Sequence, residues 1–559
     1  MFMILPAAIL LGLALRGAAC TGDHLHARDT YGHEHLGKRE YPQVPITPPY
    51  RPLVWGDFNV IHTTDTHGWL LGHQKLTFPE PDYSGDLGDF ASFVTHMKKI
   101  AIEKDVDLLL VDSGDVHDGT GLSDGYPPGG VDAHESNKFL ERLPYDVMTI
   151  GNHELYIYAD TYDMYTNFVP YLDGRSVPVG NRYTKFTTRK GRRITSLGVL
   201  YDFTGNDVNT DWPTVFDAVR AVHPSDAHLN LWSHIRDCQQ YDGRSMALES
   251  GRYMETIGML PRATPTTFLF TRRYLDQNRV TYEYHTQMSN QTFDTAYGRS
   301  ITDGLQELAV NFDLSYLYGT APQDYTINQN PYPSNGSLLS LFIADAIPYA
   351  LSINNTRDSI PAIFITNSGS QRFNVFQGPF TKNDQLTASP FTDSFLYIPN
   401  ITFSIANQVL PALNNAGASE KRKRDEVEKE LWGRGIVDTR YRSWLEEMDR
   451  RAGMGRREAT AGNLTLGYVT VDSCPGAGDD TLHMALPYYS VPDFIGSNPP
   501  NVTDDTPIDL VFVDFIEAQL LGILNGLQNA ENYTTADVSL YSPTLSNAAL
   551  GLYAQAEWN

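Results

Sequence analysis

Cysteine, positive charge and long apolar runs are all scarce in this chain of 559 residues. Three cysteines are too few for a disulfide-built fold, so stability must come from buried cores. Cys20 stands near the N-terminus. Cys238 and Cys474 can pair in an oxidising compartment, a pairing their spacing does not decide. Lysine and arginine total 42 against 67 aspartates and glutamates, a formal net charge of −25. That balance excludes a nucleic-acid polymer as partner, because its phosphates would be repelled. A small anionic substrate stays open, since bound metal ions reverse the field locally. Past the N-terminus there is no apolar run long enough for a membrane span.

Met1 to Ala19 reads MFMILPAAILLGLALRGAA, an apolar stretch closed by small residues. A buried helix is the competing reading; the terminal position favours a signal peptide over 1–19 and a secreted or vacuolar chain. Residues 20–52 hold His24, His26, His33, His35, the pair Lys38-Arg39 and five prolines. This is a disordered leader, with a processing site and a metal-collecting tract as sharper alternatives. Sequons begin at Asn290, Asn335, Asn354, Asn400, Asn463, Asn501 and Asn532.

Strands are predicted at 58–64, 107–112, 146–150, 194–202 and 228–232, and helices at 88–103, 133–142 and 212–222. That alternation implies α/β architecture with a mostly parallel sheet over residues 53–290. A second region, 293–559, opens with helices near 299–312 and 337–351 and a strand at PAIFITN. Residues 417–461 are densely charged and read as a solvated excursion from it.

Three apolar runs of the first region each end in a polar string. FNVIHTT leads to Asp65-Thr66-His67, DLLLVDSG to Asp115, and YDVMTIG to Asn152-His153-Glu154. Oxygen and imidazole donors where parallel strands stop describe a metal site at a sheet edge. On an extended strand end Asp65 and His67 point the same way. Asp115 has two oxygens and can bridge two ions. The mixture suits Zn, Mn or Fe rather than calcium. Two ions about 3.5–4 Å apart would clamp both sides of an in-line displacement at phosphorus. Taken singly, each string is also a turn or a helix cap, and His153 alone a core histidine.

The series resembles the calcineurin-like metallophosphoesterases, and GDVHDGTGLSD, GNHELY, SHIRD and LESGRYMETIG resemble their secreted or vacuolar fungal branch. The second region resembles the C-terminal domain of 5′-nucleotidases, through Asn367-Ser368-Gly369-Ser370-Gln371-Arg372 and Ser389-Pro390-Phe391. The resemblance implies a four-layer metallophosphoesterase sandwich followed by an α/β 5′-nucleotidase-like domain. It implies metal-dependent hydrolysis of a small phosphorylated substrate, a nucleotide monoester. One divalent metal would take Asp65, His67, Asp115 and His234; the other Asp115, Asn152 and two further histidines. His153 would stabilise the transition state or protonate the leaving group. Asn367 and Arg372 would hold the substrate and Phe391 would stack on a base. A surface ion-pair residue and a core aromatic are the plain alternatives for Arg372 and Phe391.

This chain departs from the pattern between residues 203 and 233. LWSHIRD stands where the family has Gly-His-x-His-Ile-Arg-Asp, so Trp232 occupies the place of a ligand, and indole cannot bind a cation. A separate Gly-His string is missing, and about 25 residues there suffice for one crossover rather than two. The first metal set is complete; the second keeps Asp115 and Asn152, with His117 and His228 as the nearest substitutes, both read as plain surface or loop histidines. The alternative function is therefore a catalytically impaired relative that binds a nucleotide or a partner. Phe515 in VFVDFIEA sits where a second base-stacking aromatic is expected, without the glycines that accompany it.

Overall fold

The computed structural model describes residues 45–149, 151, 153–156, 183–197, 217, 220–221, 228–232, 236–240, 242–263, 269–420, 472, 474–481, 483 and 486–559. The signal segment, the leader up to residue 44, most of the predicted helix 212–222 and the charged stretch from 421 to 461 lie outside them. Among the described residues no helix is long and apolar enough to cross a membrane.

Strands β1 (Phe58–Thr63), β2 (Asp107–Asp112) and β3 (Val147–Met148) run parallel, as their apolar runs predict. Strands β4 (Tyr183–Thr187) and β5 (Arg193–Leu197) form a separate hairpin. Strands β6 (His228–Trp232), β7 (Arg236–Gln239) and β8 (Ser245–Ser250) form a second sheet in the order β6-β8-β7. The chain then re-enters the first sheet. β9 (Thr256–Ala263) runs antiparallel to β1, and β10 (Leu269–Phe270) and β11 (Arg273–Asp276) run antiparallel to β9. The main sheet is thus mixed rather than mostly parallel. The connections after β9 are too short for the crossover a parallel strand needs.

Residues alternate across β1. Phe58 and Val60 face the second sheet, where they meet Leu109, Met246 and Leu248. Ile61 faces the other way, into a helical layer. That layer contains α1 (Leu87–Glu103), which is opened by a capping box of Asp86 and Asp89. Further along the chain come the short α2 (Gly121–Asp124), α3 (His134–Leu140) and α4 (His153–Tyr156), then α5 (Arg279–Thr286) and α6 (Ala296–Asn311). The sequence places α6 at the start of the second region. Its stripe Ile301, Leu305 and Leu308 instead buries against the core that holds Phe90, Phe93 and Val94 of α1. Among the described residues, the helices, the mixed sheet and the second sheet stack as layers of an α/β sandwich.

The second region is built on β12 (Leu317–Ala321), β13 (Ala362–Asn367), β14 (Gly378–Thr381) and β15 (Ser394–Thr402). A two-residue strand, β16 (Gly478–Asp479), comes next, followed by β17 (Phe494–Gly496), β18 (Pro507–Val513) and β19 (Ser539–Leu545). Its main sheet has the order β17-β13-β18-β15-β19. β13 and β18 are parallel at its centre and almost wholly buried.

Strand β16 leaves that region and pairs with β11 at the edge of the first sheet. Around it acidic residues meet buried side chains of the first region. Arg236 binds Asp479 and Asp276, Arg273 binds Asp480, and Arg272 binds Asp472, while His285 Nε2 lies 2.7 Å from Asp480 Oδ2. Cys238 of β7 is disulfide-bonded to Cys474, 236 residues away. The chain therefore carries the one pairing that its cysteines allow beyond Cys20.

Two stability predictions follow from this strap. Closing so long a loop is worth on the order of 2–5 kcal/mol. Reductant should lower the urea midpoint of the wild type and leave that of a Cys238→Ser, Cys474→Ser double variant unchanged; equal sensitivity would show that the bond does not constrain the fold. The second prediction concerns His483, which lies 3.0 Å from Asp276 and 3.4 Å from Asp82. Burial opposes its charge, but the Asp276 and Asp82 carboxylates raise it from 6.5 to about 9. A raised histidine contributes stability fully below pH 6.5 and loses it as pH climbs through about 9. The wild type should therefore lose on the order of 2 kcal/mol between pH 6 and 10 relative to His483→Gln, read from parallel denaturation curves.

Candidate active site

The three polar strings converge at the carboxyl ends of β1, β2 and β3. Donor atoms of His67, Asp115 and His153 all lie within 4.8 Å of one another, and all three residues are buried. Asp65 Oδ1 is 3.8 Å from His67 Nε2. Asn152 and His234 fall outside the described residues, as does the side chain of Trp232.

Asp65 and His67 do not continue an extended strand. β1 stops at Thr63, and Asp65, His67, Asp115 and Asp118 take φ values of 51°, 44°, 56° and 63°. Left-handed backbone at four non-glycine residues costs on the order of 1 kcal/mol each, so the surroundings must impose it. Backbone bonds do so. The N–H groups of Asp65, His67 and Gly68 donate to the carbonyls of Gly114, Asp115 and Val116, and Tyr253 N–H donates to the carbonyl of Asp65. It is this turn, rather than strand alternation, that brings Asp65 and His67 together.

Glu154 ties the other two strings. Its carboxylate accepts from the N–H groups of Asp115 at 2.9 Å, Val116 at 2.8 Å and Gly151 at 2.6 Å. The N–H of His153 donates to Asp115 Oδ1 at 2.8 Å. Gly151 is required there, because a Cβ would lie 2.1 Å from Asp115 Oδ1.

The histidines are oriented for binding. His67 Nδ1 is 2.6 Å from the carbonyl of His117 and 3.0 Å from that of Asp118. A carbonyl accepts only, so Nδ1 carries the hydrogen and Nε2 presents its lone pair. His153 Nδ1 lies 2.7 Å from Asp118 Oδ2, which likewise leaves Nε2 as the acceptor. Burial lowers the His153 imidazole to about 3, and the charge of Arg372 adds to this against the pull of Asp118. Burial, then the charges of Asp65 and Glu154, hold the Asp115 carboxyl well above the usual carboxylate range. Such crowding of buried carboxyls is relieved by a cation.

Residues of the second region reach this centre. Arg372 is 6% exposed, so it is no surface ion-pair residue, and its charge acts on His153. Its guanidinium lies 5.7 Å over the ring of Phe391, itself 6% exposed. Asn367 ends β13, buried beside the Ser368–Ser370 turn. Phe515 packs against the core of the second region. Trp69, Phe373 and Tyr253 form an aromatic cluster between the regions, with Phe373 4.5 Å from Trp69 and Tyr253 5.4 Å from His67. Next to it opens a cleft lined by Gly68, Lys75, Thr120, Asn374 and Phe376.

Sequence reasoning gives no role to Asp118, Glu154 or Tyr253. Asp118 and Glu154 lie inside strings that mark the site, yet their roles depend on partners 35 to 39 residues away. His117 is not a surface histidine. It is fully buried, 3.1 Å from Asp132 Oδ2.

Residues 58–253 match the calcineurin-like phosphoesterase family, and residues 324–521 match the C-terminal domain of NAD nucleotidases. A secreted protein of Arthroderma benhamiae is 32% identical, with 94% of each chain covered. A Schizosaccharomyces pombe protein is 30% identical, covering 91% of this chain and 93% of its own. Both alignments, of 640 and 600 positions, are longer than this chain, so these relatives carry segments it lacks. The structure is similar to that of a 5′-nucleotidase from Candida albicans, with a TM-score of 0.75 and 27% identity over 91% of this chain and 100% of the other. With its phosphoesterase sheet, its convergent strings and a second domain of the 5′-nucleotidase type, this chain belongs to the calcineurin-like metallophosphoesterases.

Proposed function

We propose that the chain hydrolyses phosphate monoesters of nucleotides in a metal-dependent reaction. The observation that carries this is the buried convergence of His67, Asp115 and His153 at the sheet edge. The donors suit a divalent ion. The tautomer of His67 points a lone pair inward, burial and the charges of Asp65 and Glu154 hold the Asp115 carboxyl up, and Gly151 leaves room for Asp115. Asp65, Asn152 and His234 join His67 and Asp115 in the proposed ligand set, and His153 is kept for the phosphoryl group. A cation held there would polarise a phosphoryl oxygen and acidify water.

The chain's own residues do the rest. Asp118 fixes the His153 ring, so that Nε2 meets the phosphoryl group. A dianion beside that nitrogen favours its protonation, and the proton then passes to the leaving oxygen. Arg372 brings a buried positive charge to the same place and steadies the anionic group. The nucleotide preference rests on the likeness to the Candida albicans 5′-nucleotidase. Phe391 and the aromatic cluster at Trp69 and Phe373 offer apolar surface for a base. The other reading, binding without turnover, rests only on the missing histidines.

Purified protein should release phosphate from AMP and p-nitrophenyl phosphate with Mn²⁺ or Zn²⁺, and chelation should abolish this. Asp115→Asn should lower kcat/KM by about 10³-fold or more. Asp118→Asn should lower kcat by about 10–100-fold with KM little changed, because it acts through His153. Phosphate release from neither compound under any divalent metal overturns the reading.

We also propose that the chain travels the secretory route and is glycosylated. A relative is named a secreted protein, the chain carries a disulfide, and the asparagines of all six described sequons are exposed. Expressed in a yeast host, the protein should appear in the medium or vacuole and shift to lower mass with an N-glycosidase. Cytosolic protein with no shift contradicts this.

A further inference from the structure

The loop that follows Asp115 carries a second cluster, which the phosphoesterase reading does not use as ligands. His117, Asp118 and Asp132 are 0%, 4% and 3% exposed, and one donor atom from each lies within 4.8 Å of the others. His117 Nδ1 is 3.1 Å from Asp132 Oδ2 and 3.6 Å from Asp118 Oδ1. Two ligands bound about 2.1 Å from one ion at a tetrahedral angle stand about 3.4 Å apart, and these separations bracket that value.

A separate observation points to a ligand. Asp132 Oδ1 is buried and receives no hydrogen bond. An ionised oxygen left dry and without a donor is costly, and a cation removes the cost. His117 Nε2 also lacks a hydrogen-bond partner and lies 3.8 Å from Glu154 Oε1. Hydrogen on Nε2 suits that carboxylate, and a cation that takes the place of the Nδ1 hydrogen bond to Asp132 Oδ2 would use the Nδ1 lone pair. Asp124 is nearby but already accepts from Gly119 N–H and Ser123 Oγ.

We propose that His117, Asp118 and Asp132 form an auxiliary binding site for a divalent transition-metal cation. One imidazole with two carboxylates matches Zn²⁺ or Mn²⁺, whereas Ca²⁺ takes six to eight oxygens. No residue of this site belongs to the set Asp65, His67, Asp115 and His153. The two are joined through Asp118, whose Oδ2 holds His153 Nδ1 while its Oδ1 faces the cluster. A cation at Oδ1 would lock that carboxylate from behind and so hold the ring of His153. The binding itself does not depend on phosphoester chemistry.

The test counts metal rather than turnover. Full-length protein is stripped by chelator, re-equilibrated with ZnCl₂, desalted and analysed by plasma mass spectrometry. Asp115→Asn, which disables the first set, should keep one equivalent of zinc that Asp115→Asn/Asp132→Asn loses. Equal zinc in both overturns the proposal. The unaltered protein gives a second measurement that no folding defect can obscure. Crystals soaked in ZnCl₂ should show an anomalous peak between His117, Asp118 and Asp132. Peaks confined to Asp65 and Asp115 overturn the site and leave a His117 imidazolium as the local positive charge.

Discussion

A single carboxylate with no exposure, Glu154, holds the site together. Three backbone N–H groups from two loops converge on its oxygens. Charge-assisted bonds of this kind are roughly twice as strong as neutral ones, and burial removes the competition of water. They fix the Asp115 loop against the turn that carries His153. With that distance set, Asp115 can accept from the N–H of His153 and still offer an oxygen to the centre. The left-handed residues on both loops are affordable only because this bonding over-determines them. Donor placement is thus a property of the folded backbone, present before any ion arrives.

The same logic explains what was legible in the sequence. β1, β2 and β3 are buried or half-buried along their length, so they read as apolar runs, and the polar strings after them mark the sheet edge. The places of these three strands, and the sheet edge where the strings meet, follow from these signals. Other features leave no local trace. The stripe of α6 shows that one face is buried but not that α1 is its partner. The two residues of β16 are too short for any periodic signal, and they dock on a strand some 200 residues earlier through ion pairs. Asp118 and Asp132 look like ordinary turn residues until folding brings them beside His117 and His153.

The strap around β16 gives a physical meaning to the SHIRD string. Arg236 follows the expected ligand His234 by two residues and is fully buried. It donates to Asp276 of β11, Asp479 of β16 and Thr256 of β9. Replacing one partner of such a network would strand a charge in a dry interior, which penalises every alternative arrangement more than it stabilises the native one. The pairs therefore act chiefly on specificity. They dictate where β7 sits, and with it the segment expected to deliver the fourth ligand of the first metal. The disulfide two residues further on, at Cys238, adds a covalent limit to the same placement.

These constraints bear on the missing histidines. The relatives carry segments that this chain lacks, and the departure from the family pattern lies between residues 203 and 233, past the third string. Among the described residues, the backbone N–H bonds that hold the turn at Asp65 and His67, and those at Asp115 and His153, run within residues 63–154 and to Tyr253. These bonds place the donors His67, Asp115 and His153 even where a ligand is lost from the second sheet. What such a loss removes is positive charge at the second position. In this chain Arg372 supplies a buried cation whose field reaches His153, from a different domain and a different kind of side chain. A guanidinium cannot activate water as a metal does, but it can stabilise a phosphoryl anion. The proposed centre is accordingly asymmetric, with activation assigned to one ion and much of the remaining charge stabilisation to the second domain.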